Sequence, residues 1–169
     1  MHKLDCDEQL TSELLNYWMD MYLHLSKMNE ISVDKLVLAM GQPAAIQLHG
    51  FCDSREKAYG PCLYVRSVDP QGEVTTKLLC SKSRVTAVKK VTLPRLELCG
   101  TLILTKLIQN KVPALSLKFD RILLWTDSAI VLSWLTTFVA NKVSQIQELT
   151  AGCEWRNVAS ASSPTDLIS

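Results

Sequence analysis

Four carboxylate residues stand at the ends of predicted strands or in the first turns of predicted helices. They are Asp53, Glu97, Asp127 and Asp166. In open α/β sheets, ligands bind outside the carboxyl ends of the strands. Four carboxylates gathered there would repel one another unless divalent cations neutralised them, and two ions about 4 Å apart stabilise the attacking and leaving oxygens of a phosphoryl displacement. Hard oxygen ligands favour Mg²⁺ or Mn²⁺ over Zn²⁺.

Asp127 also has a simpler interpretation. Asp and Ser are both good helix N-caps, and Asp127 and Ser128 precede a short apolar segment, residues 130–134, that suits a buried helix. An Asp at a lone strand end caps a helix more often than it binds a metal. The metal interpretation therefore depends on the other carboxylates converging on Asp127.

The elements that must position these residues can be predicted from hydrophobic periodicity. The predicted strands are residues 44–53, 59–68, 74–81, 122–125 and 153–158. The predicted helices are residues 7–28, 94–110, 127–134 and 136–150, with the first turn of another at 166–169. An antiparallel meander followed by α/β units predicts a mixed sheet flanked by helices. In such a sheet the first and fourth strands can be parallel neighbours, and the long helix brings Glu97 to their carboxyl ends.

Composition narrows the class of protein. The 169 residues suffice for one domain with a real core, and a net charge of +1 gives no global sign of nucleic-acid binding. The six cysteines include no C-x-x-C pair, so we expect free thiols in a reducing compartment, cytoplasmic or nuclear. No apolar run is long enough to span a bilayer, so we expect no membrane partner.

Positive charge is concentrated locally between residues 82 and 95. The cluster consists of Lys82, Arg84, Lys89, Lys90 and Arg95, with no acidic residue among them. A solvated loop is one interpretation, and contact with nucleic-acid phosphates is the other.

The N-terminal part differs from the rest of the chain. Residues 7–28 predict an amphipathic helix, which we expect to pack its apolar stripe on a core. The sequence Gly41-Gln42-Pro43 favours a break. We therefore predict a helical segment over residues 1–43 and a separate α/β domain over residues 44–169.

Six short segments together resemble the ribonuclease H region of BEL/Pao retrotransposon polyproteins. They read LHGFCDS, CSKSRV, VTLPRLELCG, LWTDSAIVLSW, FVANKVSQIQEL and SPTDLIS, and they span roughly residues 46–169. The resemblance implies a ribonuclease H-like fold and a metal-dependent endonuclease that cleaves the RNA strand of RNA/DNA hybrids. It places two Mg²⁺ or Mn²⁺ ions on four catalytic ligands: Asp53, Glu97, Asp127 and Asp166.

The same resemblance implies partners. The residues 82–95 would lie near the hybrid backbone. Residues 1–43 are similar to the segment that joins reverse transcriptase to the nuclease in that family. The reverse transcriptase and integrase domains of the same polyprotein are therefore the expected original partners.

The sequence departs from the family pattern at two places. The usual W-R-H-V-P reads W-R-N-V-A, so Asn157 stands where the family has a histidine that assists catalysis or product release. The usual N-P-A-D reads S-P-T-D, and the sequence stops three residues after Asp166. We therefore expect a C-terminally truncated domain whose activity is weak or decayed.

Two alternatives stay open. A non-catalytic ribonuclease H-like domain that binds nucleic acid or a protein would explain Asn157 and the truncation. An aspartic peptidase is the other, since this polyprotein region is also known as a Pao peptidase and residues 124–129 weakly resemble the D-[ST]-[GA] signature of retropepsins. Retropepsins are small all-β dimers, so the long helix predicted over residues 94–110 argues against the peptidase.

Overall fold

The computed structural model describes residues 9, 11–27, 30, 38, 42–86, 91–137 and 141–165. The chain forms two compact units, Met1–Lys35 and Leu36–Ser169, which we describe separately. The division predicted after Pro43 stays a prediction. No helix in the described ranges is long and apolar enough to cross a bilayer.

The first unit contains helix α1, Ser12–Lys27. Its apolar residues recur at helical spacing as predicted. Within this unit, Leu14, Trp18 and Met21 are 43%, 54% and 46% exposed. The expectation that this stripe packs on a core stays a prediction.

Six strands form one mixed sheet in the described part of the second unit. They are β1 Ala45–Ser54, β2 Ala58–Val68, β3 Val74–Ser81, β4 Arg84–Val85, β5 Arg121–Thr126 and β6 Glu154–Asn157. The order is β3-β2-β1-β5-β6, with β4 also paired to β2. The meander β1-β2-β3 is antiparallel, whereas β1 pairs with β5 and β5 with β6 in parallel. This arrangement confirms the predicted mixed sheet, including the parallel contact between the first strand and the strand of residues 121–126.

Three helices follow the meander in the described part of this unit: α2 Leu93–Lys111, α3 Ala129–Thr137 and α4 Asn141–Leu149. Helix α2 begins where Pro94 occupies its first turn, a position at which a missing N–H costs little. The predicted start of the last full helix at Thr136 is wrong, because Thr136 still belongs to α3 and α4 begins at Asn141.

The two faces of the sheet differ in their cover. The closed face carries the alternate residues Leu48, Gly50 and Cys52 of β1, which are buried under α2. A Cβ at Gly50 would lie 2.8 Å from Leu104 Cδ1, so glycine lets α2 approach the sheet closely. The core cluster on this side also includes Leu63, Val65, Leu107, Ile108 and Leu124. The open face carries the intervening residues, among which His49, Phe51, Tyr64 and Trp125 are half-buried, whereas Cys62 and Leu123 are buried.

Candidate active site

Asp53 and Asp127 end two neighbouring parallel strands. The ladder between β1 and β5 pairs Cys52 with Thr126, so Asp53 and Asp127 are the next residues along their respective chains. The Cys52 thiol donates to the Trp125 carbonyl at 3.6 Å, which fixes the strands to each other just before the carboxylates. Burial raises the pKa of the Cys52 thiol to about 12, and the negative charges of Asp127 and Asp53 add to that rise. Both carboxylates therefore act on the same buried thiol.

Glu97 reaches this edge of the sheet because α2 approaches the end of β1 closely. A Cβ at Gly100, one helical turn after Glu97, would lie 2.8 Å from Ser54 Oγ and 3.5 Å from the Asp53 carbonyl oxygen. The Ser54 hydroxyl also donates to the Leu96 carbonyl at 3.1 Å. The turn of α2 that carries Glu97 is thus fixed beside the end of β1.

Ser128 connects Glu97 to the strand that carries Asp127. Its buried hydroxyl donates to Glu97 Oε2 at 2.6 Å and accepts a hydrogen bond from the Val131 backbone N–H at 3.1 Å. The second bond is that of an N-cap to the third residue of α3. Ser128 is therefore the cap of α3, and the sequence-based alternative of Asp127 as the cap is not what the structure contains.

The two aspartates have different surroundings. Asp53 is 8% exposed, and its Oδ1 accepts the Ser54 backbone N–H at 2.6 Å. Its Oδ2 lies 3.8 Å from Arg55 Nε. Asp127 is half-buried, and its Oδ2 accepts a hydrogen bond from the Ser160 hydroxyl at 2.6 Å. The loop after β6 therefore reaches the same edge of the sheet.

This donor set agrees with a hard divalent cation, since it consists of carboxylate oxygens from three elements at one sheet edge. As they stand, however, no group of three or more His, Cys, Asp or Glu side chains in the described ranges could hold a metal ion. Glu97 and Asp127 are instead turned toward separate hydroxyl groups, those of Ser128 and Ser160. One oxygen of each of these two carboxylates is therefore held by a serine hydroxyl. The fourth predicted ligand, Asp166, lies outside the described residues.

The described part of the basic cluster lies around this edge. Lys82, Arg84 and Arg95 are exposed, whereas Lys89 and Lys90 fall outside the described residues. In the sheet, Arg84 pairs with Tyr59, and Tyr59 pairs with Ser54, so Arg84 lies at the level of the end of β1. Arg95 precedes Glu97 by two residues at the start of α2.

Gly60 makes this arrangement possible, because a Cβ there would lie 2.2 Å from the Lys82 carbonyl oxygen. The short strand β4 was not predicted, since two residues are too few for an alternating pattern.

Two serine contacts at the edge are not predicted by the sequence. Ser128 is a candidate cap in the sequence, but its bond to Glu97 is not foreseen. Ser160 contacts Asp127 from 33 residues away, and no local pattern predicts such a contact. The Asn157 amide donates to the Thr126 carbonyl at 3.4 Å, which places this unusual residue beside Asp127.

Comparison with known proteins connects this geometry to a family. A family profile described as the Pao retrotransposon-like RNaseH-like domain matches residues 1–128. No curated protein sequence matches the chain.

Several solved structures are similar to the chain. One is RNase H1 from the halophilic archaeon Halobacterium salinarum NRC-1, with 18% identity, 73% of this chain and 98% of that chain covered, and a TM-score of 0.40. Another is LC11-RNase H1 in complex with an RNA/DNA hybrid, with 11% identity, coverages of 73% and 92%, and a TM-score of 0.47. A third is a foamy viral protease–reverse transcriptase in complex with double-stranded DNA, with 15% identity, coverages of 89% and 30%, and a TM-score of 0.45. Because the family profile spans most of the sequence, the chain belongs to the Pao retrotransposon-like RNaseH-like domain family.

Proposed function

We propose that the chain is a metal-dependent endonuclease of retrotransposon origin that hydrolyses the RNA strand of RNA/DNA hybrids. The observation that carries the proposal is the edge of the sheet where Asp53 and Asp127 end adjacent parallel strands and Glu97 is joined to them through Ser128. Three carboxylates at one edge of the sheet support the proposal in a member of this family, since carboxylate oxygens are the ligands that Mg²⁺ and Mn²⁺ prefer.

Asp53, Glu97 and Asp127, together with Asp166, would hold two Mg²⁺ or Mn²⁺ ions. When bound, such ions supply an activated water and stabilise the attacking and leaving oxygens of the displacement. The protein residues do the positioning. Ser128 fixes Glu97 on the side of α2, and Ser160 fixes Asp127 on the side of the loop after β6.

Asn157 makes the proposed activity weak. Its amide can donate and accept hydrogen bonds, but it cannot carry a proton at neutral pH. A histidine there would be able to do so. We therefore expect slow turnover in the native chain and faster turnover in Asn157→His, with little change in hybrid affinity.

The basic cluster would contact the hybrid backbone. Lys82, Arg84 and Arg95 are exposed around the carboxylate edge, and Lys89 and Lys90 belong to the same sequence cluster. Cations that neutralise phosphates release counterions, so hybrid binding should weaken as salt rises. Reverse transcriptase and integrase domains of a common polyprotein, in a reducing cytoplasmic or nuclear compartment, complete the proposed setting.

The test is hydrolysis of a labelled RNA/DNA hybrid by the purified chain, measured against Mg²⁺ and Mn²⁺ concentration. We predict that Asp127→Asn reduces hydrolysis to background without lowering the melting temperature, because it removes a charge that the ions need but keeps the shape of the side chain. Glu148→Gln is the control, since Glu148 is an exposed carboxylate on α4. Equal hydrolysis by Asp127→Asn and the native chain would refute the proposed role of the carboxylate edge.

A non-catalytic binding domain is the second candidate, and Asn157 is the observation that favours it. It is supported if the native chain and Asn157→His are both inactive with either metal while the native chain still binds the hybrid. The peptidase alternative is not proposed, because Asp127 lies between a parallel strand and a capped helix rather than in an all-β dimer.

A further inference from the structure

A buried contact joins two strands and a helix directly next to the carboxylate edge. Cys52 of β1 and Thr101 of α2 are 3% and 0% exposed, and Cys52 Sγ lies 3.7 Å from Thr101 Oγ1. The same sulfur lies 3.6 Å from the carbonyl oxygen of Trp125 on β5. One thiol therefore contacts both the helix that carries Glu97 and the strand that precedes Asp127. We call this three-way contact the Cys52 junction.

The donors and acceptors of the Cys52 junction can be assigned. The Thr101 hydroxyl donates its proton to the Glu97 carbonyl at 2.8 Å, which leaves its oxygen as an acceptor. A thiol in buried surroundings has a raised pKa and stays protonated at neutral pH. The Cys52 S–H is therefore the donor, shared between Thr101 Oγ1 and the Trp125 carbonyl. The thiol thus orders the hydroxyl that holds the backbone of Glu97.

A second attachment holds the same turn of α2. The Ser54 hydroxyl donates to the Leu96 carbonyl at 3.1 Å, whereas the Cys52 junction acts on the next carbonyl, that of Glu97. Cys52 and Ser54 are alternate residues of β1, and Asp53 lies between them. Two attachments at consecutive carbonyls fix both the position and the rotation of this turn. The backbone of Glu97 is therefore held relative to that of Asp53.

This rigidity bears on the choice of cation. Mg²⁺ requires near-ideal octahedral geometry with ligands at about 2.0–2.1 Å, whereas Ca²⁺ accepts flexible geometries at about 2.3–2.6 Å. Carboxylates on a fixed backbone can keep the strict geometry. If the backbone is loosened, the ion with the stricter geometry loses more binding free energy than the tolerant one.

We propose that Cys52 and Thr101 are positioning residues of the carboxylate edge, and that their contact makes this edge select Mg²⁺ over Ca²⁺. Both side chains act through the backbone of Asp53, Glu97 and Asp127 rather than on the cation itself. The inference rests on the proposed function, because it takes the carboxylate edge to be a metal site. It adds to that function the residues that set the preference between two divalent cations.

Core packing is the alternative role of these two side chains, and the chain contains matched residues that separate the two roles. Thr105 is also 0% exposed, and its hydroxyl donates to the Thr101 carbonyl at 3.0 Å, one helical turn farther from Glu97. Cys62 of β2 is 2% exposed and supplies the matched thiol. A packing role lowers stability and leaves the relative affinity for two ions unchanged, whereas a positioning role changes that ratio.

The test measures Mn²⁺ binding to the full chain from the electron paramagnetic resonance signal of free Mn²⁺. Bound Mn²⁺ is then displaced with Mg²⁺ or with Ca²⁺, and the ratio of the two displacement constants is the readout, which does not depend on hydrolysis. The variants are Cys52→Ala, Cys52→Ser and Thr101→Val, with Cys62→Ala and Thr105→Val as controls. Far-ultraviolet circular dichroism and the melting temperature are recorded for each variant.

We expect Cys52→Ala to weaken Mg²⁺ affinity about tenfold, the lower end of the usual cost of losing an outer-shell partner of a metal site, and to weaken Ca²⁺ affinity less. Thr101→Val should change the ratio in the same direction, because valine keeps the branched shape but lacks the hydroxyl. Cys52→Ser should restore the native ratio, since serine keeps a donor at this position. Both controls should keep the native ratio, even where they lower the melting temperature.

The possible failures are distinguishable. If Cys52→Ala does not fold, the comparison of Thr101→Val with Thr105→Val decides. A native chain that binds Mn²⁺, together with equal ratios in each variant and its control, would overturn the positioning role and leave the proposed function standing. A native chain that binds no Mn²⁺ would refute the metal-dependent function itself, and this inference with it.

Discussion

The closed and open faces are made from alternate residues of the same strands, but among the described residues helices pack only on the closed face. On β1, Leu48, Gly50 and Cys52 are buried under α2, whereas His49 and Phe51 are half-buried on the other side. The closed face is apolar and tightly packed, which suits stability. The open face carries half-buried rings and arginines in place of an apolar core.

The carboxylate edge belongs to both faces. At the end of β1, the Ser54 side chain points to α2, and its hydroxyl donates to the Leu96 carbonyl. Asp53 is the preceding residue, so its side chain belongs to the opposite face. Helix α2 contributes Glu97 from the closed side, and the loop after β6 contributes Ser160. The closed face therefore contributes the packed core, and the carboxylates of the proposed site lie where this core ends.

The largest expected effect is on stability and comes from the closed face. Leu104 of α2 is fully buried against the sheet, so Leu104→Ala should lower the free energy of unfolding by about 2–5 kcal/mol. Phe51→Leu, the open-face counterpart, should cost less than about 1.5 kcal/mol, because it nearly conserves volume at a half-buried position. Urea denaturation of both variants measures the difference. Equal losses would show that the open face is as tightly packed as the closed face.

The second-largest effect is expected at Ser128, which caps α3 and also donates a hydrogen bond to Glu97. Ser128→Ala removes the α3 cap, which should cost about 1 kcal/mol, and it releases Glu97 Oε2 from its 2.6 Å hydrogen bond. We expect a higher Mg²⁺ concentration for half-maximal hydrolysis. Ser160→Ala is the comparison, since Ser160 bonds Asp127 from an exposed position and should change stability little. A Ser128→Ala variant with lower stability but native metal dependence would restrict Ser128 to a structural role.

The architecture was more predictable than the site. The strands β1, β2, β3 and β5 could be predicted because alternating or continuous apolar residues fix which face is buried. The cap of α3 could be narrowed to two adjacent residues, Asp127 and Ser128. The hydroxyl group that bonds each carboxylate could not be predicted, because Ser160 comes close to Asp127 only when β5 and β6 pair.

The open face was also missed at the sequence level. Phe51, Tyr64 and Trp125 lie on three different strands, and each alone is an ordinary strand residue. Their grouping depends on the register of two ladders, which the sequence does not state. The predicted role of Asp166 concerns a residue outside the described ranges and stays a prediction.

A smaller effect is expected from the basic cluster at the carboxylate edge. Lys82→Gln combined with Arg84→Gln should lower the salt dependence of hybrid binding by about two ions and weaken binding similarly for all sequences. The measurement is hybrid affinity across a salt series. An unchanged salt dependence in the double variant would show that these two cations do not contact the hybrid.

The smallest effect should be a pH dependence of stability that arises on the open face. His49 Nδ1 accepts a hydrogen bond from Trp125 Nε1 at 3.2 Å, so the neutral ring carries its proton on Nε2, near Gln47 Oε1 at 3.3 Å. Protonation of Nδ1 would break the bond to Trp125. Burial, followed by Arg66, Arg156 and Arg121, lowers the pKa of His49 below its ordinary value of 6.5. Glu154 is the acidic group nearby, and two of these arginines already pair with it.

The folded chain therefore binds a proton at His49 less readily than the unfolded chain does. Above the unfolded value of 6.5 both states are neutral there, and His49 adds no pH dependence. As the pH falls through 6.5, the unfolded state gains a proton that the folded state resists, so stability decreases until the pH is below the lowered folded pKa. His49→Gln should lose less stability than the native chain between about pH 7.5 and about pH 5.5, the range in which histidine titrates. Urea midpoints across that range measure the effect, with His24→Gln on the exposed helix α1 as the control. If His49→Gln and His24→Gln respond to pH alike, the arginines of the open face do not hold the ring neutral.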